Sequence, residues 1–494
     1  MTNAAEEIIA PIGPRVDSHA ARAEPLKLGT LAAYGSGMLV QDTLALGLGT
    51  LVLFYLTIFC GLSGAEAGII TGFALLVDSF VDPLAGSLSD NSRSRHGRRH
   101  PYMLLSALPI AIAFGLLFSI PRELSGPFLF VYALTMLMVV RVGLSFFQVP
   151  YIALGAELTD DYTERSTVVA ARVLFTVVAS LAAAFLAYGV FMSGPTGQLN
   201  RDAYSPFAWT CGGLVLLGAG LATFGTLNMR HRLHAAPEGG SQPIGRLIAE
   251  VAEVFRNRSF CILFAACLIL FVGLGAAGAL TLYANTYFWK LQPMVILGVT
   301  IILLVGYLTG VVAAGFASRS LEKRTVATIG IALIGIGQFF PAALKVSGVL
   351  PAAAAVPVLM AGALCTGIGA AAATIGFQSM MADAADEHEH LFGARREGLY
   401  FAGISFSAKA SSGVGNLIAG LVLDLISFPH GLEKPGAAHA VATIPTDTIR
   451  DLGLLYGPGA SVITAISVVT LTLYRRGRRE HEEVRAALTS KRAG

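Results

Sequence analysis

Twelve stretches of this chain stay apolar for twenty residues or more: 30–58, 66–89, 101–120, 127–155, 168–193, 206–229, 259–289, 294–317, 325–345, 350–381, 398–427 and 452–474. A helix needs roughly 20 such residues to cross the hydrocarbon core of a bilayer. An all-α membrane protein is the class that accommodates this pattern. Only 13% of the residues are charged, against roughly a quarter in a soluble domain, which excludes an ordinary globular fold. A net charge of +3 over 494 residues gives no nucleic-acid partner.

The position of the charges matters more than their sum. With the N-terminus on the cytoplasmic side, segments on that side hold 25 of the 34 Lys and Arg residues, the opposite loops 6, and the spans 3. Cytoplasmic loops carry such an excess, so both termini are expected to be cytoplasmic. Arg93, Arg95, Arg98 and Arg99 after span 2, and Arg475, Arg476, Arg478 and Arg479 after span 12, are the densest examples. The chain divides into a cytoplasmic tail (1–29), a six-helix half (30–229), a linker (230–258) rich in Pro and Gly, a second six-helix half (259–474) and a basic tail (475–494). Acidic residues ahead of the first run, among them Glu6, Glu7 and Asp17, argue that this run is retained as a span. A faint repeat, GSLSDNSRSRHGRR from Gly86 and GFASRSLEKR from Gly315, supports two related halves, the layout of a secondary transporter. The five cysteines lack metal-ligand spacing and read as packing residues.

Ionisable groups deep in a span are costly and mark function. Here they are Asp42, Asp78, Asp82, Arg141, Arg172 and Lys409. Asp78 and Asp82 share one helix face about 6 Å apart along the axis. Two such carboxylates repel unless a cation lies between them or one is protonated. Pro83 frees the Ser79 carbonyl beside them, so the pair suits a monovalent metal ion or a proton; the alternative is that both aspartates pair with Arg172 or Lys409 as a structural tie. On helix 4, Arg141, Ser145, Gln148 and Ile152 form one stripe, with Pro150 and Tyr151 beside it. Ser145 suits the cation and Gln148 a substrate hydrogen bond, while Arg141 is open between a substrate contact and an ion pair with an aspartate. His388 and His390 read as part of a solvated loop.

The runs DSFVDPLAGSLSDNSRSRHGRRHP from Asp78, QVPYIALGAELTDDYTERSTVVAAR from Gln148, and ADAADEHEHLFGARREG followed by Lys409 resemble the glycoside, pentoside and hexuronide cation symporters, the melibiose-carrier-like branch of the major facilitator superfamily. The resemblance covers all twelve spans and implies the major facilitator fold. It implies that Asp78 and Asp82, helped by Ser145, bind the coupling cation. Asp42, Arg172 and Lys409 fall on substrate-site positions, Lys409 near the cation pocket. Asp383, Asp386 and Arg395 match charged residues whose ion pairs close the cytoplasmic side. Gln148 and Ile152 depart from the family, which has an aspartate and a tryptophan there in galactoside carriers. With Arg141 on the same stripe, the departure favours an anionic substrate.

The expected activity is therefore cation-coupled (Na+ or H+) symport of a glycoside or hexuronide in the cell membrane, with Asp42, Arg141, Gln148, Tyr151, Arg172 and Lys409 at the substrate. The alternative is symport of a lysolipid or other amphiphilic anion. No enzyme motif, cofactor or obligate protein partner is expected beyond the coupling ion, a small-molecule sugar and the lipid bilayer, and no phosphate loop is present to bind ATP.

Overall fold

The computed structural model describes residues 26–92, 94, 97–159, 161–194, 197–229, 251–393, 396–432, 444–475 and 477–493. Arg395, Arg93, Arg95, Arg476, most of the N-terminal tail and residues 230–250 of the linker lie outside the described residues.

The described chain is helical. In order, α1 is Leu28–Phe59, α2 Gly64–Asp90, α3 His100–Leu117, α4 Gly126–Glu157, α5 Glu164–Phe191, α6 Arg201–Leu227, α7 Arg258–Phe288, α8 Pro293–Ser320, α9 Lys323–Val346, α10 Ala352–Phe392, α11 Glu397–Leu425, α12 Thr446–Thr472 and α13 Arg478–Ala493. Among the described residues eleven helices are long and apolar enough to cross a membrane. The expected twelfth, α11, has 29 residues but is not one of them. Its sequence is rich in Gly and Ser and carries Lys409, because it packs against α2 and α7 rather than against lipid alone.

The halves repeat one packing pattern. In the first, α2 packs on α4, α3 on α4 and α6, and α1 on α5 and α6; in the second, α8 packs on α10, α9 on α10 and α12, and α7 on α11 and α12. Between them, α1 meets α7, α2 meets α11 and α5 meets α8, as a two-fold relation requires.

These seams lie toward one end, the far end, opposite the basic loops. There the Tyr283 hydroxyl shares a short hydrogen bond with Thr57 and donates to the Leu53 carbonyl at 3.2 Å. Gln198 Nε2 donates to Thr286 and to the Leu291 carbonyl at 3.0 and 3.3 Å. The largest buried apolar cluster joins both halves through Phe54, Tyr283, Tyr287 and Phe428, whereas the buried cluster near the basic end of the second half draws on that half and on Val254 of the linker, with no described residue of the first half. Parts of α1, α5, α7 and α12 toward the far end are wound as wider π-helix, at Tyr55–Phe59, Phe185–Phe191, Ala284–Phe288 and Leu455–Gly459. Such segments are rare and frequent at functional places.

The largest departure from the expected boundaries is at the end of α10. α10 continues to Phe392, 41 residues and about 60 Å, ending on Gly393 at φ 78°. His388 and His390 therefore lie on the helix, not in a loop, together with Asp383 and Asp386. Apolar run length measures the part of a helix that lipid can hold; the hydrated remainder stays helical without showing in that signal. His388 is fully buried, against the Phe392 and Tyr400 rings at centroid distances of 4.6 and 5.7 Å.

Candidate functional site

Three polar clusters contain the residues singled out above. The first is built on α2. Asp78 and Asp82 lie one turn apart and point toward α4 and α11. Ser145 Oγ donates to Asp78 Oδ1 at 2.5 Å. From the other half, Lys409 Nζ donates to Asp78 Oδ1 at 3.0 Å and Asp82 Oδ2 at 2.7 Å. Arg141 Nη1 is 3.9 Å from Asp78 Oδ2. The side chain of Asp78 is 3% exposed, that of Asp82 24% and that of Lys409 29%, so the ammonium and one carboxylate are reachable while Asp78 is sealed. Asp82 Oδ1 is buried without a hydrogen-bond partner among the described residues.

Four formal charges thus meet, two of each sign. The oxygen atoms of Asp78, Asp82 and Ser145 suit a hard monovalent cation, and Lys409 occupies their convergence. Of the two roles left open for Arg141, the geometry realises the ion pair. Lys409 lies in this carboxylate cluster, near the pocket where the resemblance puts it, and pairs with both aspartates as the structural alternative has it.

The second cluster joins α1, α4 and α5. Asp42 is 8% exposed, faces the Thr176 hydroxyl, and has an Oδ2 atom with no partner among the described residues. Tyr34 and Tyr151 stack at 4.7 Å, the Tyr151 hydroxyl donates to the Tyr34 carbonyl at 3.0 Å, and Arg172 reaches the Tyr34 hydroxyl and lies near that of Tyr151. Tyr151 is 1% exposed and so presents packing, not a free hydroxyl. Gln148 is half-buried, and Ile152, one turn further, is 44% exposed. Thr176 and Tyr34 escaped the sequence reading. Thr176 had a signal, four residues from Arg172 on the same face; Tyr34 had none.

The third lies at the basic end. Asp383 accepts from Lys323 Nζ at 2.6 and 2.8 Å, and His481 of α13 is 3.3 Å from Asp383 and 3.9 Å from Asp386. Asp383 is thus engaged within its own half. In the first half, Glu157 takes both Arg98 and Arg99, and Asp90 lies 3.4 Å from Arg99. Burial pulls the Arg99 guanidinium below its usual pKa, and Glu157 works against that shift. Nothing in the sequence showed that α13 would fold back onto Asp383.

Residues 33–476 match the profile of the family described as MFS/sugar transport protein. The isoprimeverose transporter of Lactiplantibacillus pentosus is 26% identical over 383 residues, covering 76% of this chain and 75% of that protein. A glucuronide carrier protein homolog of Escherichia coli (strain K12) is 26% identical over 438 residues, 85% of this chain and 90% of that protein. Among solved structures, a D-xylose-proton symporter superposes with TM-score 0.61 at 15% identity, covering 90% of this chain and 96% of its own. A nucleoside transporter superposes with TM-score 0.62 at 12% identity, covering 91% and 100%. These two share the fold.

Proposed function

This chain belongs to the MFS/sugar transport protein family, membrane transporters and not enzymes, and we propose that it carries a glycoside or hexuronide together with Na+ or H+ by alternating access. The observation behind this reading is the Asp78–Lys409–Asp82 bridge. An ammonium from one half neutralises the carboxylate pair of the other. A coupling cation arriving at the pair must displace that ammonium, so its binding acts directly on the contact between the halves.

In this reading the basic end is cytoplasmic, α11 is the twelfth span, and the halves are parted toward the cytoplasm and closed at the far end. Asp78, Asp82 and Ser145 hold the cation. Asp42, with a free acceptor oxygen, and Arg172 hydrogen-bond the sugar. Asp78, Asp82, Arg141 and Lys409 sum to zero charge, so one added cation leaves an excess of +1 that an acidic sugar cancels. Each ligand then favours the other, and reciprocally. The names of the isoprimeverose and glucuronide relatives support a sugar substrate.

The test is uptake into proteoliposomes of an isoprimeverose-type disaccharide, a glucuronide, methyl-galactoside and a lysolipid, with an imposed Na+ gradient, a proton gradient or neither. Accumulation of a glycoside or glucuronide driven by one gradient is the expected result. Uptake of lysolipid alone, or sugar uptake indifferent to both gradients, overturns the reading.

A further inference from the structure

α2 begins at the far end, and its first amide N–H groups have no partner within the helix. Two backbone donors there are served locally. Ser63 Oγ accepts from the Glu66 N–H at 3.2 Å, and the Glu66 carboxylate accepts from the Ser63 N–H at 2.9 Å. The next two are served from the other half: the N–H groups of Gly64 and Ala65 donate to Asp424 Oδ1 and Oδ2 at 2.7 and 2.8 Å. A carboxylate at a helix N-terminus also lies favourably in the field of the helix dipole.

Close backbone approach brings Asp424 there. A Cβ built on Gly64 would run into the Gly420 carbonyl, and one on Gly420 into the Gly64 carbonyl. Gly420 precedes Asp424 by one turn of α11, which aims the carboxylate at the end of α2. The seam continues as Gly72 against Gly413. Only residues without side chains permit such contact.

We propose that Asp424 is the latch of the far-end gate, a helix cap supplied by the opposite half that holds this end closed and lets go when the halves part. The proposal rests on the alternating-access reading above. Asp424 is exposed and Ala65 partly so, so water can replace the carboxylate at the two amides as the halves separate. The contact is therefore a reversible bias toward the closed far end. Its removal should change populations without unfolding the bundle.

The test uses the full chain in lipid nanodiscs with its five cysteines replaced and spin labels at Ser125 and Ser347, exposed far-end positions on opposite halves. Asp424→Asn keeps the shape and one acceptor but loses the charge; Asp424→Ala loses the cap. The distance distribution should gain a longer component, with its fraction rising about fivefold for Asp424→Ala, the scale of a lost cap, and less for Asp424→Asn. An Asp424→Asn distribution identical to the wild type's, while the wild type still responds to Na+ and sugar, overturns the latch and leaves the transport reading standing. A wild-type distance that responds to no sugar and no cation overturns both.

Discussion

At the scale of single residues, Asp78 and Asp82 differ in what surrounds them, and their substitutions should differ accordingly. Asp78 is sealed by Ser145, Lys409 and Arg141; Asp82 has an unpartnered oxygen and partial exposure. Both Asp78→Asn and Asp82→Asn are expected to abolish gradient-driven accumulation while the protein still inserts, with downhill transport surviving in part; radiolabelled sugar uptake with and without a gradient reads this. Ser145→Ala removes one hydrogen bond to a carboxylate, worth about 1.5–3 kcal/mol, and should weaken cation affinity about tenfold or more in a binding titration. Arg141 faces Asp78, so Arg141→Gln should depress transport of neutral and acidic sugars alike and lower the melting temperature. A loss confined to glucuronide would return Arg141 to the substrate.

At the scale of helices, the α2–α11 pair does two jobs. Toward the far end its glycines bring two backbones into contact; toward its middle the same pair carries the aspartates and Lys409. The distance between those carboxylates and the ammonium is thus fixed by how closely the glycines allow the helices to approach. Gly72→Val places methyl groups against the Gly413 backbone. Overpacking of this kind costs about 1–3 kcal/mol, and the variant should melt at lower temperature and lose cation affinity together, read by a thermal melt at low and high Na+. A variant that melts early but binds the cation normally would separate the seam from the site.

At the scale of the whole molecule, the carboxylate cluster spans both halves, so under the proposed reading transport and ion binding share one equilibrium. Linkage then demands a symmetric result: the factor by which saturating Na+ or H+ tightens sugar binding must equal the factor by which saturating sugar tightens cation binding. Titration calorimetry on the purified protein measures both. The charge balance further predicts that glucuronide outcompetes methyl-galactoside at saturating cation. If only the neutral sugar competes, the anionic preference drawn from Arg141, Gln148 and Ile152 is wrong.

Much of the molecule was determined by local order in the sequence. Apolar length located the spans, because a bilayer imposes one thickness on every helix that crosses it, but not the hydrated ends of helices such as α10. The i, i+4 spacing placed both aspartates on one face, and the charge of a group deep in a span marked it as a candidate wherever it lay. The tertiary structure decided what distance along the chain conceals. Lys409 is 331 residues from Asp78 and His481 nearly a hundred from Asp383, so neither partnership leaves a periodic trace. The same holds for Arg141, whose charge was evident but whose direction was not, and for Asp424, an ordinary acidic residue until Gly64 and Gly420 bring it to the end of α2. A helix face follows from 3.6 residues per turn; what that face meets depends on how two halves pack, and that is settled only when the chain has closed on itself.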